Sequence, residues 1–555
     1  MATVTSEIQI VSNPTVTVPE LGKVKGVQFN NGTSQYVGIP FAEIPGRFRL
    51  SRLLTTPLSK VEGEFDATKL GPYSHQPSRS FPIPAADRPW FEFPEASELE
   101  CLNINISVPD TKANKDLLPV MVYIHGGAYA YGTGVSPMYD GMTLSTLSAK
   151  KDQPTIVITF NYRLGLPGFL ASRDLLEYRQ SLGEDGVGNY GIWDQVIALR
   201  WVNRYIESFG GDINRITVFG QSAGSQSVHL HTLRNEPLFS SAIMQSGLSP
   251  LCGIFSIEEY DIVYEKVLKH LNIDTHQPSY DRVKALINVP IEDLTRAMDA
   301  VFNVSCVTLP LTDDLVLLAG KSIPAASDFA QPEKTVLSDF CPRLLIGNVR
   351  NESIIWDDEW SHYSASGLIN FIHEFIGNKT QSQRILDLYN IDKTLSQRQT
   401  YDVIEKIATD GLFLVISDQF ITKTGPEIEL YTYFFDQACG FNNSPWKGYA
   451  HHSYDNVFVW GTLSPELDEA RLKLSKEISI AWISFANGQA PWNEFHQNQQ
   501  YRIFDSDNNQ EKYRTREQDA ARGYSTWKAL QVEGLFETVR RLGEELCLKR
   551  QNLLN

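Results

Sequence analysis

Gly220-Gln221-Ser222-Ala223-Gly224 sets a serine between small residues, directly after the apolar run at 216–219 and ahead of a segment with helical spacing. A serine on a tight strand-to-helix turn stands clear of its sheet with the hydroxyl exposed, and flanking glycines let the backbone turn without a clash. That is the setting of a nucleophile, although a glycine-rich turn with an incidental serine has the same letters. A serine hydroxyl attacks poorly near neutral pH. It needs a base within hydrogen-bond reach, a carboxylate to orient that base, and donors for the oxyanion it creates. His125-Gly126-Gly127-Ala128, at the end of the apolar run 118–124, offers a loop of the last kind. Its N–H groups, joined by that of Ala223, can converge on one developing negative oxygen.

In serine sites of this strand–turn–helix kind the acid and then the histidine follow the nucleophile, which restricts the search to positions after 222. His229 and His231 fall in the helix after the serine; two apart on a helix they point to different faces, a poor metal pair. His270 and His276 lie in helical or loop insertions, and His362, His373 and His496 have no supporting context. His451-His452 stands in a polar loop, 448–455, after the apolar run 430–435 and before an aromatic run. Spacing alone leaves the two neighbours open. For the carboxylate, Glu352 lies a few residues past the run 344–347, on a strand-end loop, with Asp313, Asp314 and Asp455 as rivals. Asp505-Ser506-Asp507-Asn508-Asn509 lacks the glycine and the closing glutamate of a calcium loop. No metal and no cofactor is expected.

The elements that must hold these groups change in texture along the chain. Residues 16–18, 23–29 and 35–40 read as short strands separated by turns. From about 118 the runs 118–124 and 154–160 are nearly continuous in apolar residues, as expected of strands buried on both faces of a mainly parallel sheet. Ile192, Val196, Leu199 and Val202 recur at helical spacing and lead, past Gly210-Gly211-Asp212, to the strand before Ser222. Amphipathic helices such as 258–271 dominate 255–330 and 355–425, as insertions capping the sheet, and 529–551 reads as a surface helix. Without a repeat or a low-complexity linker, 1–555 reads as one elaborated domain.

Composition narrows the function classes. The 555 residues, 42% hydrophobic and 21% charged, suffice for a very large core. A net charge of −17, from 49 basic and 66 acidic residues, argues against nucleic acid as a partner. The amino terminus has neither the basic nor the apolar stretch of a secretory signal, and no run approaches the roughly 18 apolar residues of a membrane span. A cytoplasmic protein is expected. Cys101, Cys252, Cys306, Cys341, Cys439 and Cys547 lie far apart without a C-x-x-C pair, so neither a zinc cluster nor a redox dithiol is suggested; reduced, mostly buried thiols are. The glycan triplets at Asn31 and Asn378 are then expected to stay unused.

In a long series of segments the chain resembles the type-B carboxylesterases, a family that includes cholinesterases and many fungal esterases and lipases. The matching stretches include Gly38-Ile39-Pro40-Phe41-Ala42, Glu100-Cys101-Leu102-Asn103, His125 to Ala128, and Asn161-Tyr162-Arg163-Leu164-Gly165. Gly188-Asn189-Tyr190-Gly191-Ile192-Trp193-Asp194-Gln195 through Ser222, Gly347 to Glu352, His452, and Trp482 to Gly488 continue the match over nearly the whole chain. The resemblance implies an α/β-hydrolase: a large, mostly parallel central sheet, helices on both faces, and helical insertions. It also implies Ser222 as nucleophile, Glu352 as orienting carboxylate, and His452, set by its interval to Phe458-Val459-Trp460-Gly461, as base. Gly127, Ala128 and Ala223 are the implied oxyanion donors.

Three departures from the family pattern stand out. Ala128 replaces the last glycine of a G-G-G run, Gln221 replaces the more frequent glutamate beside the nucleophile, and Ser74 stands where exported members pair a cysteine with the Cys101 type. That disulfide cannot form here, which agrees with a reducing compartment. The expected activity is hydrolysis of a small-molecule carboxylic ester through an acyl-serine, in a cytosolic fungal-type enzyme. Tyr129, Tyr131, Trp90 and Phe91 are the expected substrate wall. The alternatives are an acyltransferase or lactonase with the same triad, and a non-catalytic cholinesterase-like binding protein.

Overall fold

In the computed structural model the apolar runs become one twelve-stranded sheet. It describes residues 8–302 and 339–554, apart from 60–62, 79–83, 87, 112–115, 250, 252 and 508–511. Asp313, Asp314, Cys252, Cys306, Asn508, Asn509, the first seven residues and the stretch 303–330 of the first insertion therefore lie outside the described residues.

The strands are β1 (Ile10–Ser12), β2 (Val27–Phe29), β3 (Thr33–Pro40), β4 (Asn103–Pro109), β5 (Leu118–Ile124) and β6 (Ile156–Phe160). They continue with β7 (Gly211–Gln221), β8 (Ser241–Gln245), β9 (Arg343–Val349), β10 (Glu429–Phe435), β11 (Tyr501–Phe504) and β12 (Tyr513–Arg514). In space their order is β1-β2-β3-β4-β6-β5-β7-β8-β9-β10-β11-β12. From β6 to β11 every neighbouring pair is parallel; the edges at β1–β4 and β12 are antiparallel.

Apolar runs without alternation follow from burial on both faces. Val120, Val122 and Ile124 of β5 face one core, with Ile216 and Val218 of β7, while Met121, Tyr123 and Phe219 face the other. The first core is covered by α1 (Tyr190–Tyr205), whose Ile192, Val196, Leu199 and Val202 are all buried, and by α2 (Ala223–Thr232). The helix Glu469–Ala486 lays Leu474, Ile478, Trp482 and Phe485 on the second.

The helical insertions include Ile257–His270, opened by a Ser256/Glu259 capping box, and further on α3 (Gln397–Thr409) and α4 (Val415–Lys423). Between α3 and α4 lies a π-helical turn, Asp410–Leu414. No helix among the described residues is long and apolar enough to cross a membrane.

Two expectations need correction. Residues 23–29 are not one strand: the chain breaks at Gly26, leaving Gly22–Lys25 in a separate three-stranded sheet. Residues 529–551 are not one surface helix. The helix Tyr524–Val532 stops before Gly534, whose φ of +67° is a left-handed conformation that a glycine adopts freely, and α5 (Phe536–Leu548) follows. Val539, Leu542, Leu546 and Cys547 of α5 are fully buried against the helical insertions.

Candidate functional site

The register of the parallel strands brings the chemistry-bearing loops together at their carboxyl ends. Ile124 of β5 lies opposite Gly220 of β7, so the loop beginning at His125 runs beside the turn at Ser222. Ser222 has φ 60°, ψ −127° and is half-buried, in the strained corner between β7 and α2. A Cβ on Gly224 would meet Ile124 O at 2.0 Å, which is why the turn needs glycine there. A Cβ on Gly126 would reach 3.0 Å from Ser222 Cβ, so the two loops touch.

Gly127, Ala128 and Tyr129 all have positive φ (+110°, 52° and 57°), and Ala130 and Tyr131 close the turn by donating to Gly127 O at 2.9 Å. Among the described residues no acceptor meets the N–H of Gly127, Ala128 or Ala223. Ala223 is the first residue of α2, where N–H groups have no partner inside the helix.

Glu352 follows β9 and His452 follows β10, and their loops are laced together. Asn351 N donates to Ala450 O at 3.0 Å and His452 N donates to Asn351 O at 3.1 Å, the ladder of a short parallel bridge between Asn351 and His451. His452 Nδ1 donates to Glu352 Oε2 at 2.6 Å. The other oxygen of Glu352 accepts from Val349 N at 2.9 Å and Asn348 Nδ2 at 3.1 Å, so this fully buried carboxylate has three donors. With Nδ1 protonated, Nε2 of His452 carries a lone pair. Gln221 Nε2 donates to it at 3.0 Å, from the residue beside Ser222. The ring of Phe413, in the π-helical turn, packs 5.3 Å from the imidazole.

The other candidates are held elsewhere. His451 sits between Trp446 and Tyr454, donates to His452 O, and burial lowers its pKa to about 4. His229 and His231 are buried in α2 and pushed down to about 3, accepting from Ser249 N and meeting Gln195 Oε1 respectively. Asp455 does not reach the imidazole. Its Oδ2 accepts from Gln245 Nε2 at 2.9 Å and Tyr433 OH at 3.3 Å, and burial raises it to about 6.

Several motif residues turn out to be props for the site. Asn161 Oδ1 accepts from Thr133 Oγ1 and Gly134 N at 2.8 Å, and Tyr162 OH donates to His125 O at 2.8 Å with its ring stacked on the imidazole. Burial lowers His125 to about 4, so it serves the loop as a neutral ring. Arg163 grips Asp194 of α1 through two side-chain bonds of 2.8 and 2.7 Å, both residues buried. Ser74 donates to Tyr162 O at 2.6 Å, near the buried Cys101 thiol. Cys341, Cys439 and Cys547 are also buried and unpaired.

The expected aromatic wall is corrected in part. Tyr129 is a core residue, packed on Phe169 and bonded to Ser227 Oγ, because its backbone turns the side chain under the loop. Trp90 and Phe91 pack on Phe29, at the far edge of the sheet, where Val27 and Met142 leave an apolar patch to cover. Tyr131 is half-buried beside the turn at Gly127. The sequence reading missed Gln221 as a partner of the imidazole and Phe413 as its packing surface. The first was visible only as a departure from the family pattern; the second had no local signal.

Comparison with known proteins agrees with this architecture. A family model described as "Carboxylesterase family" matches residues 12–531. The para-nitrobenzyl esterase of Bacillus subtilis is 31% identical over 491 residues, covering 86% of this chain and 91% of that protein. Mouse cholinesterase is 27% identical, covering 92% of this chain and 85% of its own length. A solved structure titled PNB esterase superposes with a TM-score of 0.71 at 28% identity, covering 93% of this chain and all of that one. With an α/β-hydrolase fold around a serine turn, the chain belongs to the carboxylesterase family of serine carboxylic ester hydrolases.

Proposed function

We propose that Ser222, His452 and Glu352 form the catalytic triad and that Gly127, Ala128 and Ala223 form the oxyanion hole for hydrolysis of small-molecule carboxylic esters. The observation that carries this reading is the 2.6 Å bond from His452 Nδ1 to Glu352, with Nε2 facing the turn that presents Ser222. Ester binding displaces the Gln221 amide from Nε2, which then takes the Ser222 proton as the oxygen attacks the carbonyl carbon. The oxyanion settles among the three N–H groups. His452 hands the proton to the departing alcohol, then activates water to release the acid and regenerate Ser222. Glu352 orients the ring and stabilises the imidazolium.

The test compares wild type with Ser222→Ala on aryl esters of graded acyl length, with a competing alcohol present. Wild type is expected to release free acid and Ser222→Ala to fall by at least about a thousandfold in kcat. Equal rates in the two proteins would place the activity elsewhere, and a dominant transesterified product would replace hydrolysis by acyl transfer.

A further inference from the structure

Behind Glu352 lies a second buried carboxyl that the mechanism does not use. Glu405, on α3, is only 4% exposed. Its Oε2 accepts from Asn351 Nδ2 at 3.2 Å, and its Oε1 accepts from Thr409 Oγ1 at 2.6 Å. That same Thr409 oxygen accepts from Ser353 N at 2.9 Å. One carboxyl, directly and through a hydroxyl, therefore grips the residues on both sides of Glu352. Asn351 is also the residue whose carbonyl holds the backbone N–H of His452. We propose that Glu405 is a positioning residue for the triad, fixing through Asn351 and Thr409 the aim of Glu352 at the imidazole. The inference rests on the triad reading given above.

The proton on Glu405 matters to this grip. Ionised, both oxygens accept, matching the two donors that face them. Protonated, one oxygen becomes a donor, and it either opposes the Asn351 amide or reverses the Thr409 bond. Burial raises this carboxyl to about 7, while Thr409, Asn351 and the neighbouring Lys406 pull it down and Asp410 pushes it up. Tyr401 of α3, Tyr449 in the loop before His451, and Cys547 of α5 also feel its charge. The grip is thus formed on the alkaline side of neutrality and loosened on the acid side.

The experiment is Glu405→Gln in the full-length enzyme, with active sites counted by a fluorophosphonate probe. As Glu405 takes up its proton, wild type is expected to lose its advantage over the variant, from about tenfold in kcat per labelled site at pH 8 to near parity at pH 5. At pH 8 the variant is expected to keep KM unchanged with kcat about tenfold lower per labelled site, the usual scale for a residue that holds another in place. Wild-type kcat with an unchanged acid limb would overturn the proposal. Should Glu405→Gln fail to fold, Thr409→Val removes the acceptor of Ser353 N at nearly constant volume. A lower kcat at constant KM would support the role, and wild-type kcat would overturn it. Failure of the probe to label the wild-type serine would instead sink the triad reading itself.

Discussion

Two buried carboxylates near His452 differ in how their charge is matched, and that difference sorts their roles. Glu352 meets three donors, the imidazole among them, which suits the orienting role proposed for it. Asp455 has both its donors on one oxygen and none on Oδ1. Burial, with the charge of Glu352 nearby, raises its carboxyl from 3.8 to about 6. The folded protein thus holds that proton more tightly than the unfolded chain does. The stability from this site is full below about 3.8 and is lost as pH rises through about 6. Asp455→Asn is expected to raise stability at pH 8 by about 2–3 kcal/mol, at 1.36 kcal/mol per unit, and to change little at pH 4. Thermal unfolding at the two pH values measures this, and a lower midpoint than wild type at pH 8 would contradict it. Position in the sequence could not separate these acids, nor His451 from His452, because all stand on strand-end loops. What sets the imidazole of His452 beside Glu352 is the Asn351–His451 pairing, a contact between residues a hundred positions apart.

At the level of elements, the parallel strands were readable because burial on both faces leaves an unbroken apolar run. Helices such as Ile257–His270 and Gln397–Thr409 were readable by their periodicity. The π-helical turn was not: Asp410-Gly411-Leu412-Phe413-Leu414 fits an ordinary helix, and the extra residue shows only when Phe413 is seen against His452. The loop from 74 to 101 illustrates a departure that the sequence did disclose. Ser74 stands beside Cys101 where exported relatives are expected to have a cysteine, and both side chains are buried. Ser74→Cys is expected to form a disulfide with Cys101 under oxidising conditions. The cross-link would stabilise the protein by about 3–4 kcal/mol through loss of unfolded-chain entropy. The shift in unfolding midpoint with and without reductant checks this; equal midpoints, with the bond formed, would contradict it.

Across the whole molecule, one apolar cluster runs from Val18 in the first strands to Leu553 in the last helix. The family match ends at 531, yet α5 beyond it buries Val539, Leu542 and Leu546 against α3 and the π-helical turn that touches the imidazole. Each such side chain contributes about 1.5–3 kcal/mol, so their sum competes with a typical net stability of about 5–15 kcal/mol. A chain ending at residue 532 is therefore expected to lose its cooperative unfolding transition and its esterase activity together. A soluble truncated protein with wild-type kcat/KM would show that α5 is dispensable. The sequence hid this role because α5 carries charges on its outer face, and only the packed structure tells which face is outer.

The central claim, a serine at 222 made nucleophilic by His452 and Glu352, is tested most directly by fluorophosphonate labelling followed by peptide mass analysis. One phosphonyl group per chain is expected on the peptide bearing Ser222, absent from Ser222→Ala and much slower to form in His452→Ala. Labelling that stays undiminished in Ser222→Ala, or an unlabelled wild-type enzyme that still hydrolyses esters, would contradict the account.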